Sequence, residues 1–199
     1  MFHASIVDLD VGDYLQPNAD RLYGTKEEFQ CLFFGNNQRS LRDLGSIIST
    51  LPLKNGKLGI EYTEHFPNIF NTEFKDKTAF VYEVDDKDFV QGGWRVEFYT
   101  TKKAKILSKK QVNLYDEIMK NVKLGNVSLK FYSETKEHIQ KVVNHLLEMT
   151  ARKVCDAEDV VKLAKTYKAN PIAEYFQGIV RLNENLIKKL PSEKVNFHK

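Results

Sequence analysis

Residues 2–17 are FHASIVDLDVGDYLQP, a segment whose pattern sets the expected architecture of the chain. An apolar run from Phe2 to Val7 carries a histidine at its second position, followed by the small residues Ala4 and Ser5, and then meets Asp8, Asp10, Gly12 and Asp13. Such a run, bounded by Asp, Gly and Pro, predicts a β-strand that ends in a turn. An imidazole set in that strand needs a hydrogen-bond partner. Either the protein supplies it, or a ligand does whose hydroxyls replace water.

The same texture continues to about Gly125. QCLFFG (30–35), KTAFVYEVD (77–85), WRVEFYTT (94–101) and KAKILSK (103–109) are short runs rich in Phe, Tyr, Val and Ile, and they read as further strands. Within RSLRDLGSIISTL, Leu41, Leu44, Ile47, Ile48 and Leu51 fall at helical spacing, with Ser40 as cap and Pro52 as stop, so a helix is expected there. KNGKLG reads as a turn, and IEYTEHFPNIFNTEF (60–74) as a loop with room for a short helix. From about Ser128 the pattern becomes helical. Ile139, Val142, Val143, Leu146, Leu147 and Met149 keep one stripe; Asp156 caps DAEDVVKLAKTY; Pro171 opens a third helix with Ile172, Tyr175, Phe176, Ile179, Leu182, Leu186, Ile187 and Leu190 on one face. The expected architecture is α+β: a strand-rich domain over 1–124 and a helical module over 125–199.

Composition bounds the function. The 199 residues carry 42% apolar and 29% charged side chains, a globular balance, and no run has the roughly 18 apolar residues of a membrane span. Early acids interrupt any secretory leader, which predicts a cytoplasmic protein without a membrane partner. Cys31 and Cys155 have no redox or metal spacing and read as two reduced, unrelated thiols. The net charge of +3 neither demands nor excludes a nucleic-acid partner. Its distribution says more: Lys102, Lys103, Lys105, Lys109 and Lys110 cluster without an acid among them. That is either a lysine-protected strand edge or a surface for phosphates.

Several chemistries have no support. His138 and His145 lie two helical turns apart with no acidic partners at ligand spacing, so no metal is expected. Phosphate-cradling glycine loops and serine-hydrolase elbows are missing. What remains is a set of polar and aromatic residues placed in strands: His3 in the first, Phe33 and Phe34 in the second, and Glu97 in WRVEFYTT, where alternation groups it with Arg95 and Tyr99. Each also has an ordinary role open to it. His3 fits a satisfied strand histidine, Glu97 a partner for Arg95, Phe33 and Phe34 a core, and Asn36, Asn37, Gln38 and Arg39 a polar turn.

The order FHAS, VGDYLQP, QCLFFG, AFVYEVDDKDF and WRVEFYTTKKAKIL resembles the small bacterial ADP-ribosyltransferases of the rifampicin-modifying type, over roughly the first two thirds of the chain, to about Val122. In that family a first-strand H-G-[ST] is followed by L-x-x-G-D-x-[IL]-x-P, matched here from Leu9 to Pro17. The resemblance implies a split mixed sheet holding NAD as co-substrate, with no metal. It implies that His3 bonds a ribose hydroxyl, that the backbone at Ala4 grips the carboxamide, and that Ser5 completes the pocket. Ala4 stands where the family has glycine, narrowing the space beside the nicotinamide ring. Phe33 or Phe34 stands where the family has a stacking tyrosine. Glu97 matches the late-strand acid that stabilises the oxocarbenium-like cation formed as nicotinamide leaves.

The resulting expectation is a mono-ADP-ribosyltransferase acting on a macromolecular acceptor, nucleic acid or protein, as a toxin or defence effector, with the C-terminal helices as lid, scaffold or protein-partner surface. A non-catalytic binding module on the same scaffold, or a nucleic-acid-binding protein using the aromatics and lysines, stays open beside it.

Overall fold

The computed structural model describes residues 1–35, 44–152 and 154–189, with side chains through Leu182. Asn36, Asn37, Gln38, Arg39, Ser40, Leu41 and Leu190 lie outside the described residues. The chain forms two units, 1–131 and 132–199. Among the described residues no helix is long and apolar enough to cross a membrane.

The first unit is α+β, and its described residues form three sheets. The predicted first strand is β1 (Phe2–Ser5), which lies at the edge of an antiparallel sheet in the order β1-β6-β9-β2. Its partners are β6 (Thr78–Val84), then β9 (Ala104–Asn113), then the two-residue β2 (Tyr14–Leu15). A second sheet runs β10-β5-β4, from β10 (Val127–Lys130), β5 (Leu58–Glu64) and β4 (Ser46–Pro52), with β10 parallel to β5. The third is small and antiparallel, β3-β8-β7, made of β3 (Leu22–Gly24), β8 (Phe98–Thr100) and β7 (Val90–Gln91).

Two elements differ in kind from their expected form. The helical spacing over 40–51 gives way to strand β4, which pairs with β5 from Ser46↔Glu64 to Pro52↔Leu58. Ile47, Ile48 and Thr50 are β-branched and favour a pleated surface, and a full antiparallel ladder outweighs the weak helical propensity of a segment containing Gly45. Conversely, QCLFFG is not a strand. Helix α1 (Glu28–Cys31) runs into a 3₁₀ turn at Leu32–Phe34. A capping box between Glu27 and Gln30 starts it, and Phe29, Leu32 and Phe33 then bury together at helical spacing.

Other differences concern extent. In WRVEFYTT only Phe98–Thr100 is strand, and Trp94–Val96 form part of the turn before it. The stretch over 60–74 resolves into β5 and α2 (Ile69–Phe74). After β9, α3 (Leu114–Lys123) begins where the Asn113 side chain accepts from the Asp116 amide, with acids in its first turn and lysines in its last. The helical texture begins later than Ser128, since β10 continues to Lys130.

The main core lies on the Ala4 and Val81 face of the large sheet, under α1 and α3. Tyr62 is at its centre, stacked 5.9 Å from Phe33 and edge-on to Phe70 and Phe74 at 5.4 and 5.8 Å. Its phenol donates to the buried Glu73 carboxylate at 2.6 Å. Burial, with Glu73 alongside, pushes the Tyr62 phenol pKa up. A second core, on the other face, joins Leu15, Leu22, Tyr82, Val84, Ala104 and Ile106.

The described residues of the second unit form α4 (Lys136–Ala151), α5 (Ala157–Thr166) and α6 (Asn170–Lys189). Thr135 caps α4 by accepting from the His138 amide. The α6 helix packs on both α4 and α5, burying Val142, Val143, Leu146, Val160, Ala164, Ile172 and Phe176. Of the apolar face expected on α6, Tyr175 and Leu182 stay exposed, at 45% and 64%.

Candidate functional site

The site is built where β1 and β3 part. Phe2 and Thr25 exchange both backbone hydrogen bonds, at 2.8 and 2.9 Å, and form a single antiparallel bridge. One step further the two strands no longer pair, and the His3 ring reaches across: Nδ1 donates to the Tyr23 carbonyl at 2.7 Å. A carbonyl only accepts, so Nδ1 carries the proton and the neutral ring presents Nε2 as an acceptor. Partial burial lowers the His3 pKa, and the bond to Tyr23 opposes that shift. A partly buried neutral imidazole whose Nδ1 is already bonded can accept a hydrogen bond from a hydroxyl only at Nε2.

Gly24 makes the close approach of β3 to β1 possible. A Cβ there would lie 2.5 Å from Met1 Cγ and 3.2 Å from the Phe2 carbonyl oxygen, so a side chain would push Met1 aside and crowd β1.

Tyr23 is the residue that sequence reasoning missed. Leu22 and Gly24 point inward, so alternation turns Tyr23 outward, 44% exposed. It pairs with Tyr99 on β8, ring centroids 6.4 Å apart, and Arg21 places its guanidinium 4.5 Å over the Tyr99 ring. Interaction with the Tyr23 phenol raises the Arg21 pKa further. No signal in the sequence marks it: LYGT is too short for alternation to show which way the tyrosine points.

Glu97 leads into β8, two residues before Tyr99. Its amide donates to the Trp94 carbonyl at 2.9 Å, and its own carbonyl accepts from Gly92 at 2.8 Å. The carboxylate packs against Gly92, where a Cβ would collide with Oε1. By continuation of the Gln91↔Phe98 register, Gly92 stands opposite Glu97, which puts the carboxylate on the same side of the small sheet as Tyr99 and Tyr23.

The remaining expected residues lie elsewhere. Phe33 is fully buried against Tyr62 and Phe74, so it is core and not a ligand shelf. Phe34 is 36% exposed and stands edge-on to Trp94 at 5.9 Å. Ala4 turns its methyl into the core, where a Cβ on Gly35 would come within 3.0 Å of it; it therefore does not narrow a pocket on the His3 face. Ser5 Oγ accepts from the Val7 amide at 3.1 Å and shapes the chain leaving β1. Of the expected residues, His3 and Glu97 come to the small sheet, Ala4 and Phe33 face the main core, and Phe34 stands at its margin.

The lysine cluster is largely neutralised. Lys102 meets Asp88 at 2.8 Å; Lys109 meets Asp8 at 2.8 Å and Asp10 at 3.4 Å; Lys110 meets Glu28 at 2.9 Å and Glu117 at 3.6 Å. Lys103 lies 4.4 Å over the Tyr14 ring. Among the described residues no three His, Cys, Asp or Glu side chains are grouped to hold a metal ion, and Cys31 and Cys155 are free thiols. Compared with protein-family models, with curated proteins and with solved structures, the chain matches none.

Proposed function

We propose that the 1–131 unit is an NAD-dependent mono-ADP-ribosyltransferase on an ADP-ribosyltransferase-like split mixed sheet. The observation that carries this reading is the β1/β3 junction, where His3 is held by the Tyr23 carbonyl with Nε2 left to accept, beside the outward pair Tyr23 and Tyr99. His3 anchors a ribose hydroxyl, Tyr23 replaces Phe33 and Phe34 as the aromatic shelf for nicotinamide, and Glu97 supplies the negative charge. In the reaction the bond from the ribose anomeric carbon to the pyridinium nitrogen breaks, and its electron pair leaves with nicotinamide. The Glu97 carboxylate stabilises the resulting oxocarbenium-like cation. An acceptor nucleophile then forms the new bond to the anomeric carbon and releases its proton to solvent.

The acceptor is macromolecular. Ion pairing of Lys102, Lys109 and Lys110 weakens the electrostatic attraction for phosphates and favours protein over nucleic acid. A second reading, a non-catalytic binding module, is favoured by one feature: Glu97 sits at a turn, bonded through its backbone to Trp94 and Gly92.

Nicotinamide release from NAD separates the two, measured with cellular protein, RNA or DNA added as acceptor. The expected result is release stimulated by the protein fraction and reduced roughly 10²–10³-fold in Glu97→Gln, with unchanged thermal stability. NAD binding without release in the wild type overturns the transferase step. Absence of both overturns the NAD reading and selects the binding module, which engages a protein or nucleic-acid partner.

A further inference from the structure

One row of residues crosses the large sheet beneath the site. His3 is paired directly with Tyr82, and Tyr82 with Lys109, so the three project from the same face of β1, β6 and β9. This is the face opposite Ala4 and Val81. Tyr82 is fully buried, yet its hydroxyl is engaged twice: it donates to the Val7 carbonyl at 2.6 Å and accepts from the Leu9 amide at 2.9 Å. One phenol thus ties both sides of the segment that leaves β1 just after Ser5. Lys109 adds the outer anchor through Asp8 and Asp10, and its ammonium lies 5.7 Å over Phe80, which stacks on Tyr82 at 6.4 Å. Further along, Gly12 donates to the Ile106 carbonyl and Ile106 to the Asp13 carbonyl, which closes the loop back onto β9.

We propose that Tyr82, backed by Lys109, is a positioning residue that holds Val7–Asp10 in place beside His3 as a wall of the NAD site. This rests on the ADP-ribosyltransferase reading. Phenylalanine at position 82 keeps the ring and its packing but loses both bonds, freeing the Val7 carbonyl and the Leu9 amide. The wall then loosens, and the cost falls on holding NAD more than on breaking the glycosidic bond.

Tyr82→Phe is tested by steady-state nicotinamide release and by amide hydrogen exchange of the full chain. The expected result is a KM for NAD raised about tenfold with kcat within about threefold, as the loss of one or two hydrogen bonds implies. The Leu9 amide loses protection while the Val81 amide, inside the sheet, keeps it. Lys109→Met gives the same pattern with a smaller KM change, about two- to fivefold, and decides the matter if Tyr82→Phe fails to fold. Lys57→Gln, which breaks a comparable ion pair with Glu27, leaves KM and Leu9 unchanged. An unchanged KM in a folded Tyr82→Phe, or unchanged Leu9 exchange, overturns the positioning role while the transferase reading stands. A wild-type protein that binds no NAD removes the transferase reading, and the proposed wall falls with it.

Discussion

Two aromatic groups in the first unit have similar ring spacing and opposite exposure. Phe33 and Tyr62 stack at 5.9 Å in the main core, with Phe70 and Phe74 edge-on around them. Tyr23 and Tyr99 pair at 6.4 Å on the small sheet, with Arg21 over one ring and His3 bonded to the backbone of the other. Ring spacing does not separate them; water does. The first group is dry on every side, so its burial stabilises the fold, and the second keeps one side open to solvent. An aromatic run in a sequence therefore says that a hydrophobic surface will exist, and strand register decides whether a ligand can reach it.

The sharpest test of that contrast compares Phe33→Ala with Tyr23→Ala. Phe33 is enclosed, and its truncation leaves a cavity bounded by Tyr62 and Phe74; the expected loss of stability is about 3–5 kcal/mol. Tyr23 has little to lose on its outward side, and truncation there should cost under about 1 kcal/mol. Urea unfolding of both variants measures the difference. Equal losses would mean that the small sheet is as much a core element as the 3₁₀ turn.

The same pair explains how much was legible in the sequence. The long elements, β6, β9 and the three C-terminal helices, declare themselves through period and caps, and β1 through its apolar run ending at Asp8. His3 was legible because a histidine in an apolar strand requires a partner. Tyr23 was not, since β3 is three residues long and alternation over three residues is indistinguishable from chance. QCLFFG misleads because Phe and Leu serve strands and buried helices equally; only the Glu27 and Gln30 capping box distinguishes them, and it lies at and before the edge of the apolar run. In SIISTLP the spacing of Ile47, Ile48 and Leu51 fits a helix, and the deciding term is a ladder to β5 that is remote in sequence. Glu97 was assigned a strand position that becomes a turn end, because the paired length of β8 depends on how short β7 is.

A smaller effect sharpens the functional side of the comparison. If Tyr23 is the shelf, Tyr23→Ala weakens NAD binding about 10- to 100-fold, the range expected for removing one stacking partner of a base, whereas Tyr23→Phe retains most of it. Phe34→Ala, at the margin of the core, leaves NAD affinity within about twofold. Isothermal titration reads all three. A Phe34 effect larger than the Tyr23 effect would move the shelf to the Phe34 and Trp94 edge and away from β3.

The smallest effect is a pH dependence set by His3. In the folded chain its pKa lies below the ordinary 6.5, because burial disfavours the imidazolium more than the Tyr23 carbonyl favours it. Below pH 6.5 the unfolded chain therefore binds the proton more readily than the folded one, and the His3 contribution to stability falls as pH falls toward the folded value. Above 6.5 both states hold a neutral ring and the contribution is flat. Ligand binding follows the same window with its own cause, since protonation of Nε2 converts the acceptor into a donor and removes the bond from a ribose hydroxyl. His3→Gln, which titrates nowhere in this range, should flatten this part of both profiles. A wild-type stability that instead rises below pH 6.5, with His3→Gln abolishing the rise, would mean that the ring is held as imidazolium, and the anchor would then be a cation facing phosphate and no longer a neutral ring facing a hydroxyl.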